Sequence, residues 1–379
     1  MSGGGVLVVV PSLRAGGAER AAVWLPDAFA ARGDQGDVVL AVFNGAERAY
    51  ELAATSRARL VDLKSPPAPR GLARIWCMPR RAALRVVRLA RLIRTTNPAR
   101  LIGFTDSANL PLVLAALLTG RRRRLVVCVH RDPARLPWQH ALIARALYPL
   151  AGGIAAVSHG AARALERRLG FAPGTVHVVN NPVDLSGIRA AAADGPAPLQ
   201  GAFLDPAAGP FFLAAGRLVP GKDFAALLAI FARPECANFR LVIAGEGPER
   251  ARLAAHIETL GLTDRVLLAG HLANPFALMA RARALLMTSR HEAFPMTLIE
   301  AMACGCPAVA YDCDYGPREA LRDGVSGFLV PPGDAAAFAA RMVRLAADDG
   351  LRESMSRAAR ADAAAFAADV VAARWLELP

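Results

Sequence analysis

The run Ala284-Leu-Leu-Met287-Thr-Ser289-Arg-His-Glu292-Ala-Phe-Pro295-Met-Thr-Leu-Ile-Glu300-Ala-Met-Ala-Cys-Gly305-Cys-Pro307-Ala308-Val-Ala-Tyr311 reads as strand, turn, helix and strand. Pro295 suits the first turn of a helix and Gly305 the position just past its end, so a helix of about ten residues is expected to begin at Pro295. Two short apolar runs joined through a helix make a parallel pair, because only a crossover returns the chain to the same end of a sheet. The first N–H groups of such a helix have no internal partner. Pro295 has none, which leaves those of Met296, Thr297 and Leu298 as an anion site reinforced by the helix dipole, fit for a diphosphate. Glu292 precedes the helix and is placed to accept hydrogen bonds from sugar hydroxyls. Glu300, over a turn into it, is within reach of ribose hydroxyls. The competing reading makes both of them surface carboxylates with a capping role.

Outward from this unit the same alternation repeats. In the second half Phe211–Ala215, Arg240–Ala244, Val266–Ala269, Ala284–Met287 and Ala308–Tyr311 read as strands, and after Asp334 the sequence is Ala-rich helix to the end. In the first half the strand-like runs are Val6–Val10, Val38–Phe43, Leu101–Phe104, Leu125–Val129, Ile154–Val157 and Val176–Val179. A glycine turn, Arg14-Ala-Gly16-Gly17-Ala-Glu19, opens a helix to about Ala31, which Pro26 is expected to kink or end early. Residues 190–209, rich in Ala, Pro, Gly and Asp without periodicity, read as a linker. The class is therefore α/β: two doubly wound, Rossmann-like domains in tandem. The expected divisions are 1–189, the linker 190–209, 210–360, and a C-terminal helix over 361–379 that packs back on the first domain. Ligands of such sheets bind beyond the carboxyl ends of the strands.

A second segment, Gly216-Arg217-Leu-Val-Pro-Gly221-Lys222-Asp223-Phe224, follows directly on the strand Phe211–Ala215. A glycine turn carrying two cations makes a diphosphate clamp, with a forked contact from Arg and a point charge from Lys. The alternative is a solvated loop. Only two of the 45 basic residues are lysines, Lys64 and Lys222, which sets Lys222 apart before any motif is invoked.

Composition narrows the class. The chain has 379 residues and is 54% apolar, enough for two cores and too apolar for disorder. No stretch reaches the roughly 18 apolar residues that span a bilayer. The apolar start Gly5–Val10 lacks a basic flank and is too short for a signal peptide, so it reads as a buried strand. Cys77, Cys128, Cys236, Cys304, Cys306 and Cys313 follow no paired framework. Cys304, Cys306 and Cys313 lack companions at metal-finger spacing, and reduced, buried cysteines are the simpler account. The net charge is +13, and residues 1–184 carry 26 Lys/Arg against 11 Asp/Glu, whereas the remainder carries 19 against 21. A basic first half points to an anionic partner, whether nucleic acid, a membrane surface or a phosphorylated acceptor, or else reflects compositional drift in a chain rich in Ala and Arg throughout. No recognised nucleic-acid module is present, and no nucleic-acid partner is expected.

Gly-Gly-Ala-Glu (16–19), Asn181-Pro-Val-Asp184, Arg217…Lys222, Ala244-Gly-Glu-Gly-Pro248, the Glu-x7-Glu spacing from 292 to 300 and Asp323-Gly-Val-Ser-Gly-Phe-Leu-Val-Pro-Pro-Gly-Asp334 occur in one order along the chain. Together they resemble the retaining glycosyltransferases of family 4 (glycosyl transferases group 1), over nearly the whole length. Tyr315-Gly-Pro-Arg-Glu319 is similar to the bacterial enzymes of surface-polysaccharide and lipopolysaccharide assembly. The resemblance implies the GT-B architecture, two Rossmann-like domains facing across a cleft. It implies a nucleotide-sugar donor, by family habit a UDP-sugar, and hexosyl transfer to a glycan or lipid-linked acceptor.

By the same resemblance Arg217 and Lys222 hold the donor's distal phosphate. Glu292 and the backbone of Phe294 and Pro295 bind the donor sugar. Met296 and Thr297 give amides to the diphosphate, and Glu300 binds ribose. Gly16 and Gly17 bring the first loop to the reacting centre, and His130 meets the sugar near its 6-hydroxyl. Many members have glycine where Pro295 stands, so the N–H contact made there is impossible here. Arg131, Asp132 and Asp106 are the acceptor-side candidates. The implied chemistry is front-face transfer through an oxocarbenium-like state, resting on positioning and on stabilisation of the leaving group. The cations at 217 and 222 can do a metal's work, and no metal or other cofactor is expected.

The basic stretch Arg74–Arg94, with Arg81, Arg85 and Arg88 on one helical face and Leu84, Val87 and Ile93 as apolar cover, and the cluster Arg121–Arg124 suit an anionic leaflet or simply a solvated face. The expected place is the cytoplasm, with peripheral contact at the inner face of the cell membrane. The competing functions are a nucleotide-sugar epimerase on the same fold, which releases free altered sugar, and a non-catalytic nucleotide-sugar-binding protein. A phosphorylase needs a pyridoxal lysine, and Lys222 lies too near the phosphate loop for that role.

Overall fold

The computed structural model describes residues 4–14, 16–33, 35–45, 50, 52, 56–65, 73–194, 203 and 210–379, and for 73–79 the backbone alone. Ala15 of the first glycine turn, the side chains of 74–79 in the basic stretch, and residues 195–202 and 204–209 of the expected linker lie outside what is described. The chain divides into two compact units, Met1–Val183 with Ala368–Pro379, and Asp184–Ala367.

The first unit is built on β1 (Val6–Val10), β2 (Val38–Val42), β3 (Arg59–Asp62), β4 (Arg100–Phe104), β5 (Leu125–Val129), β6 (Gly153–Ala156) and β7 (Val176–Val178). They lie in the order β3-β2-β1-β4-β5-β6-β7, every pair parallel. Its helices are α1 (Gly17–Arg32), α2 (Ala73–Thr96), α3 (Asp106–Leu118), α4 (Trp138–Leu147) and α5 (His159–Leu169). The order reverses direction between β1 and β4. Right-handed crossovers therefore put α1 on one face of the sheet and α2–α5 side by side on the other. Burial on both faces explains why β1, β2 and β5 are unbroken apolar runs rather than alternating ones.

The second unit repeats this order. β8 (Phe211–Ala215), β9 (Arg240–Ala244), β10 (Val266–Gly270), β11 (Leu285–Met287), β12 (Ala308–Tyr311) and β13 (Gly327–Val330) form the parallel sheet β10-β9-β8-β11-β12-β13. The helices are α6 (Leu185–Ala193), α7 (Phe224–Phe231), α8 (Arg250–Thr259), α9 (Phe276–Met279), α10 (Met296–Ala303), α11 (Pro317–Ala320), α12 (Ala335–Ala347) and α13 (Asp349–Ala363). The last helix, α14 (Ala368–Glu377), packs against α1 in the first unit. Arg100 fixes its end by donating to the carbonyls of Trp375, Leu376 and Leu378 at 2.8–2.9 Å, a fork satisfying carbonyls that a helix terminus leaves open.

Three local expectations are corrected. Pro26 does not end α1, which runs through it to Arg32 with the ring buried. The expected strands include neither β3 nor β13, and both are sheet edges. The face of Arg81, Arg85 and Arg88 does not lie free. Arg85 stacks over Phe43 and donates to Ser65 Oγ at 3.0 Å, and Arg88 donates to the carbonyls of Leu63 and Lys64. Ile93 is buried beneath α2, whereas Val87 is exposed. The described free cysteines, Cys128, Cys236, Cys304, Cys306 and Cys313, are all buried.

Candidate active site

In the second unit the reversal of strand order lies between β8 and β11, and the chemistry-bearing loops follow those two strands. After β8 the chain turns through Gly216 and a short 3-10 turn, Pro220–Lys222. The neighbouring loop after β9 braces this turn. Leu218 N–H donates to the Glu246 carbonyl at 2.9 Å, Glu249 N–H to the Leu218 carbonyl at 3.1 Å, and Gly216 N–H to the Ala244 carbonyl at 2.9 Å. The two loops are so close that a Cβ on Gly245, at φ +148°, would lie 1.8 Å from the Gly216 carbonyl oxygen. Glycine at 245 is what permits this approach. The Lys222 side chain then lies along Gly216, whose missing Cβ would come 3.3 Å from its Cε.

The loop after β11 brings in the carboxylate. Thr288 Oγ1 donates to the Asp223 carbonyl at 3.0 Å, Arg290 N–H donates to the Gly221 carbonyl at 3.0 Å, and the Arg290 guanidinium pairs with Asp223 at 2.7 Å. These ties bring Glu292 onto the cation: Lys222 Nζ donates to Glu292 Oε1 at 2.5 Å, both side chains largely buried. The two residues are 70 positions apart in sequence. An ammonium has three donors and a carboxylate two oxygens, so this pair keeps donors for a phosphate and an oxygen for a hydroxyl. Arg217, on the same turn, is exposed.

The helix start differs from expectation. α10 is eight residues long and begins at Met296, with Pro295 as its N-cap. The Met296 N–H already donates to the Phe294 carbonyl at 3.1 Å and the Leu298 N–H to the Pro295 carbonyl at 3.0 Å. Of the three donors expected to be open, only that of Thr297 has no acceptor among the described hydrogen bonds. Proline fixes this tight entry, and the Phe294 ring anchors it against Phe366 edge to face. Glu300 is 3% exposed and Glu292 is largely buried, so neither is a surface carboxylate. At the far end, Cys306 N–H to the Ala301 carbonyl at 2.9 Å and Gly305 at φ +77° close the helix as its sequence predicts. Burial pushes the Cys304 and Cys313 thiols up to about 12, with the carboxylates of Glu300 and Glu292 as second causes. Both stay protonated and neither serves as a nucleophile. A cavity of about 410 Å³ lies alongside, lined by Asp223, Thr288, Arg290, Tyr311 and Gly333 among others. It contains none of Arg217, Lys222, Glu292 and Glu300, so it is not the clamp.

In the first unit the corresponding reversal lies between β1 and β4. Gly16 caps α1 in an extended conformation, with the Glu19 carboxylate folded over its α-carbon, and Gly17 is the first helical residue. After β4, Thr105 sits at φ +69°, strained for a β-branched residue, as the N-cap residue just before α3. Asp106 follows, buried, accepting from the Tyr148 hydroxyl at 2.8 Å and pairing with Arg131 at 3.1 Å. The two acceptor-side candidates Asp106 and Arg131 thus meet, and they draw in Tyr148. Asp132 accepts from the Ala134 N–H at 2.9 Å and caps its own turn.

His130 follows β5 and stacks on Phe104 at 4.3 Å, and Phe104 in turn stacks on Trp375 of α14 at 6.1 Å. Burial lowers the imidazole to about 3, against a weaker upward pull from the Asn181 side chain. The ring is neutral at physiological pH, and neither nitrogen has a partner of normal hydrogen-bond geometry. Thr105, Tyr148, Asn181, Trp375 and Gly245 are neighbours that residue type alone does not mark. Asn181 and Gly245 do stand inside quoted motifs, which is the one signal that points to them.

Comparison with known proteins gives the chain its family. The family described as Glycosyltransferase Family 4 matches residues 15–186, and that described as Glycosyl transferases group 1 matches residues 202–362. An exopolysaccharide phosphotransferase of Streptomyces coelicolor is 42% identical over 43% of this chain, which spans only 18% of that protein. An N-acetylgalactosamine-N,N'-diacetylbacillosaminyl-diphospho-undecaprenol 4-alpha-N-acetylgalactosaminyltransferase of Campylobacter jejuni is 30% identical over 67% of this chain and 69% of its own. The Anabaena protein HepE, solved in complex with UDP, superposes with a TM-score of 0.79 over 98% of both chains at 22% identity, a likeness of fold. With two Rossmann-like units of one strand order, and both halves matched in sequence, the chain belongs to glycosyltransferase family 4 and has the GT-B fold.

Proposed function

We propose that the chain transfers a sugar, with retention of anomeric configuration, from a nucleotide-diphosphate donor to a glycan or lipid-linked acceptor in the assembly of surface polysaccharide or lipopolysaccharide. The observation that carries this reading is the Lys222–Glu292 pair at 2.5 Å, at the end of β8 and just before α10. It joins a phosphate-binding cation to a hydroxyl-binding carboxylate. The names of the Streptomyces and Campylobacter relatives support the choice of acceptor class, and the UDP held by the Anabaena protein supports a uridine donor.

On this reading Arg217 and Lys222 take the distal phosphate and stabilise it as it departs. The Thr297 amide adds a donor at the helix start. Glu292 and the backbone around Phe294 and Pro295 orient the sugar, and Glu300 serves the ribose. His130 acts as a neutral hydrogen-bonding group, not as an acid, because its imidazole does not take a proton near pH 7. The first unit holds the acceptor, with Asp106, Arg131 and Asp132 on that side. The two cations replace a divalent ion, and turnover needs none. The place of action is the cytoplasmic side of the membrane.

The test is a donor screen. The protein is incubated with UDP-, GDP- and ADP-sugars, with and without EDTA, and nucleoside diphosphate release is followed. A UDP-sugar is expected to be hydrolysed slowly in both arms, and the released sugar keeps its anomeric form by NMR. Release of an altered sugar without an acceptor would assign an epimerase instead. Binding without release from any donor would leave a sensor.

A further inference from the structure

We infer that the helical layer α2–α4 of the first unit is a docking surface for an anionic phospholipid bilayer, with Trp138, Leu142 and Ile143 as the side chains that enter the headgroup boundary. Its purpose rests on the lipid-linked acceptor proposed above; the surface stands on separate observations.

The first is charge. Between Leu63 and Leu165 the sequence holds 18 Lys/Arg and two acids, Asp106 and Asp132. Neither acid offsets the field outward. Asp106 is buried against Tyr148 and Arg131, and Asp132, itself largely buried, caps its own turn and pairs with Arg135 at 3.9 Å. α2 and α4 contain no acidic residue at all.

The second is apolar exposure. Eight large apolar side chains are exposed among the described residues, and six of them stand on these three helices: Val87, Leu114, Leu118, Trp138, Leu142 and Ile143. Trp138 is 63% and Leu142 59% exposed, one turn apart on the same face of α4. The inner face of α4 is satisfied by Ala141 and Ala144, so core packing does not use the outer one.

The third is how the two interleave. α2 and α3 pack side by side, and the exposed positions 80, 87, 91 and 94 form one stripe along α2: Arg, Val, Arg, Arg. Arg94 donates to the carbonyl of Leu118 at 3.4 Å, which places a cation beside an exposed leucine. Arg135 stands about one turn before Trp138 and Arg145 about one turn after Leu142 along the chain, and both are exposed. The stripe is rotated from Arg85 and Arg88, which hold α2 to its own sheet.

Apolar tips set among cations, without free carboxylates, are what an anionic bilayer interface recognises. Aromatic and aliphatic groups sink to the acyl boundary and arginines meet the headgroups. Tryptophan in particular favours that depth. A nucleic acid would satisfy the arginines but leave the leucines, isoleucine and valine without a partner.

The experiment uses the full chain and vesicles of phosphatidylcholine, alone or with phosphatidylglycerol, read by flotation and by tryptophan emission. Binding is expected only with phosphatidylglycerol, accompanied by a blue shift, and lost in high salt because the attraction is screened. The triple variant Trp138→Ser, Leu142→Ser, Ile143→Ser and the pair Arg80→Glu, Arg91→Glu should each weaken it by about tenfold or more. All five residues are exposed, so folding is retained. Val325→Ser, an exposed apolar change in the second unit, should have no effect. Donor hydrolysis in free solution should be equal in all variants, so loss of docking and loss of transferase activity are read separately. The inference is overturned by absent binding, by unchanged binding of the triple variant, or by a wild-type dimer that the triple variant converts to monomer, which would assign the face to a second copy.

Discussion

The two units share one strand order and differ in nearly everything laid over it. Each has candidate site residues on the loops where the order reverses, after β1 and β4 in the first and after β8 and β11 in the second, and the first adds those that follow β5. The second unit is close to charge balance, and its cations Lys222 and Arg290 are held against carboxylates. The first is strongly basic, and several of its arginines face outward or are spent on backbone carbonyls. One architecture thus carries a small ionic clamp in one copy and a broad cationic, apolar surface in the other. Strand order fixes where a site forms, and side chains at the strand ends and on the helix backs fix what it does.

Removing the clamp's cation is the severest way to sharpen that contrast. Lys222→Ala should lower donor turnover by about 10²–10³-fold, the scale for losing one stabiliser of a departing charge, while the thermal transition stays close to wild type. Near-normal turnover would leave the second unit with no distinctive chemistry. The equivalent blow to the first unit is Trp375→Ala. Trp375 is fully buried beneath Phe104, and truncating it should cost about 3–5 kcal/mol in denaturant unfolding. A cost below 1 kcal/mol would mean that α14 is dispensable to that unit.

Gly245→Ala tests the bracing of the clamp. The added methyl meets the Gly216 carbonyl, and backbone strain of about 1–3 kcal/mol should appear in unfolding, together with weakened donor binding. Unchanged donor affinity would show that the two loops are independent. A pH slope tests the first unit in another way. His130 is depressed to about 3 by burial, below the value of about 6.5 for a free imidazole. Its contribution to stability is present above pH 6.5 and lost as pH falls toward 3, because the unfolded chain binds the proton first. Wild type should lose up to about 1.4 kcal/mol per pH unit more than His130→Gln over that window. Parallel curves would show that the ring is not held neutral.

Local chemistry made much of this readable. The runs Val6–Val10, Leu125–Val129, Phe211–Ala215 and Ala308–Tyr311 become strands at the expected positions, because strands buried on both faces must be apolar throughout. Edge strands escape that rule. β3, Arg-Leu-Val-Asp, is half exposed and reads as loop. Pro26 misleads for the opposite reason: a local breaker is overridden where its helix is held by a buried face. At α10, Pro295 marks the start correctly, but the turn it enforces consumes two of the three amides that helix geometry leaves open.

The sequence by itself determined the two parallel sheets, the turn with the cations at 217 and 222, the helix ending at Gly305 and the uneven charge, because each follows from local spacing and residue type. Tertiary structure alone decided that Lys222 grips Glu292 across 70 positions, that Glu300 is buried, that His130 is neutral, and that Arg85 and Arg88 turn inward while Val87 and Arg91 face out. Those outcomes depend on which distant segments exclude water from a group, and solvent exclusion is a property of the packed chain rather than of any segment in it.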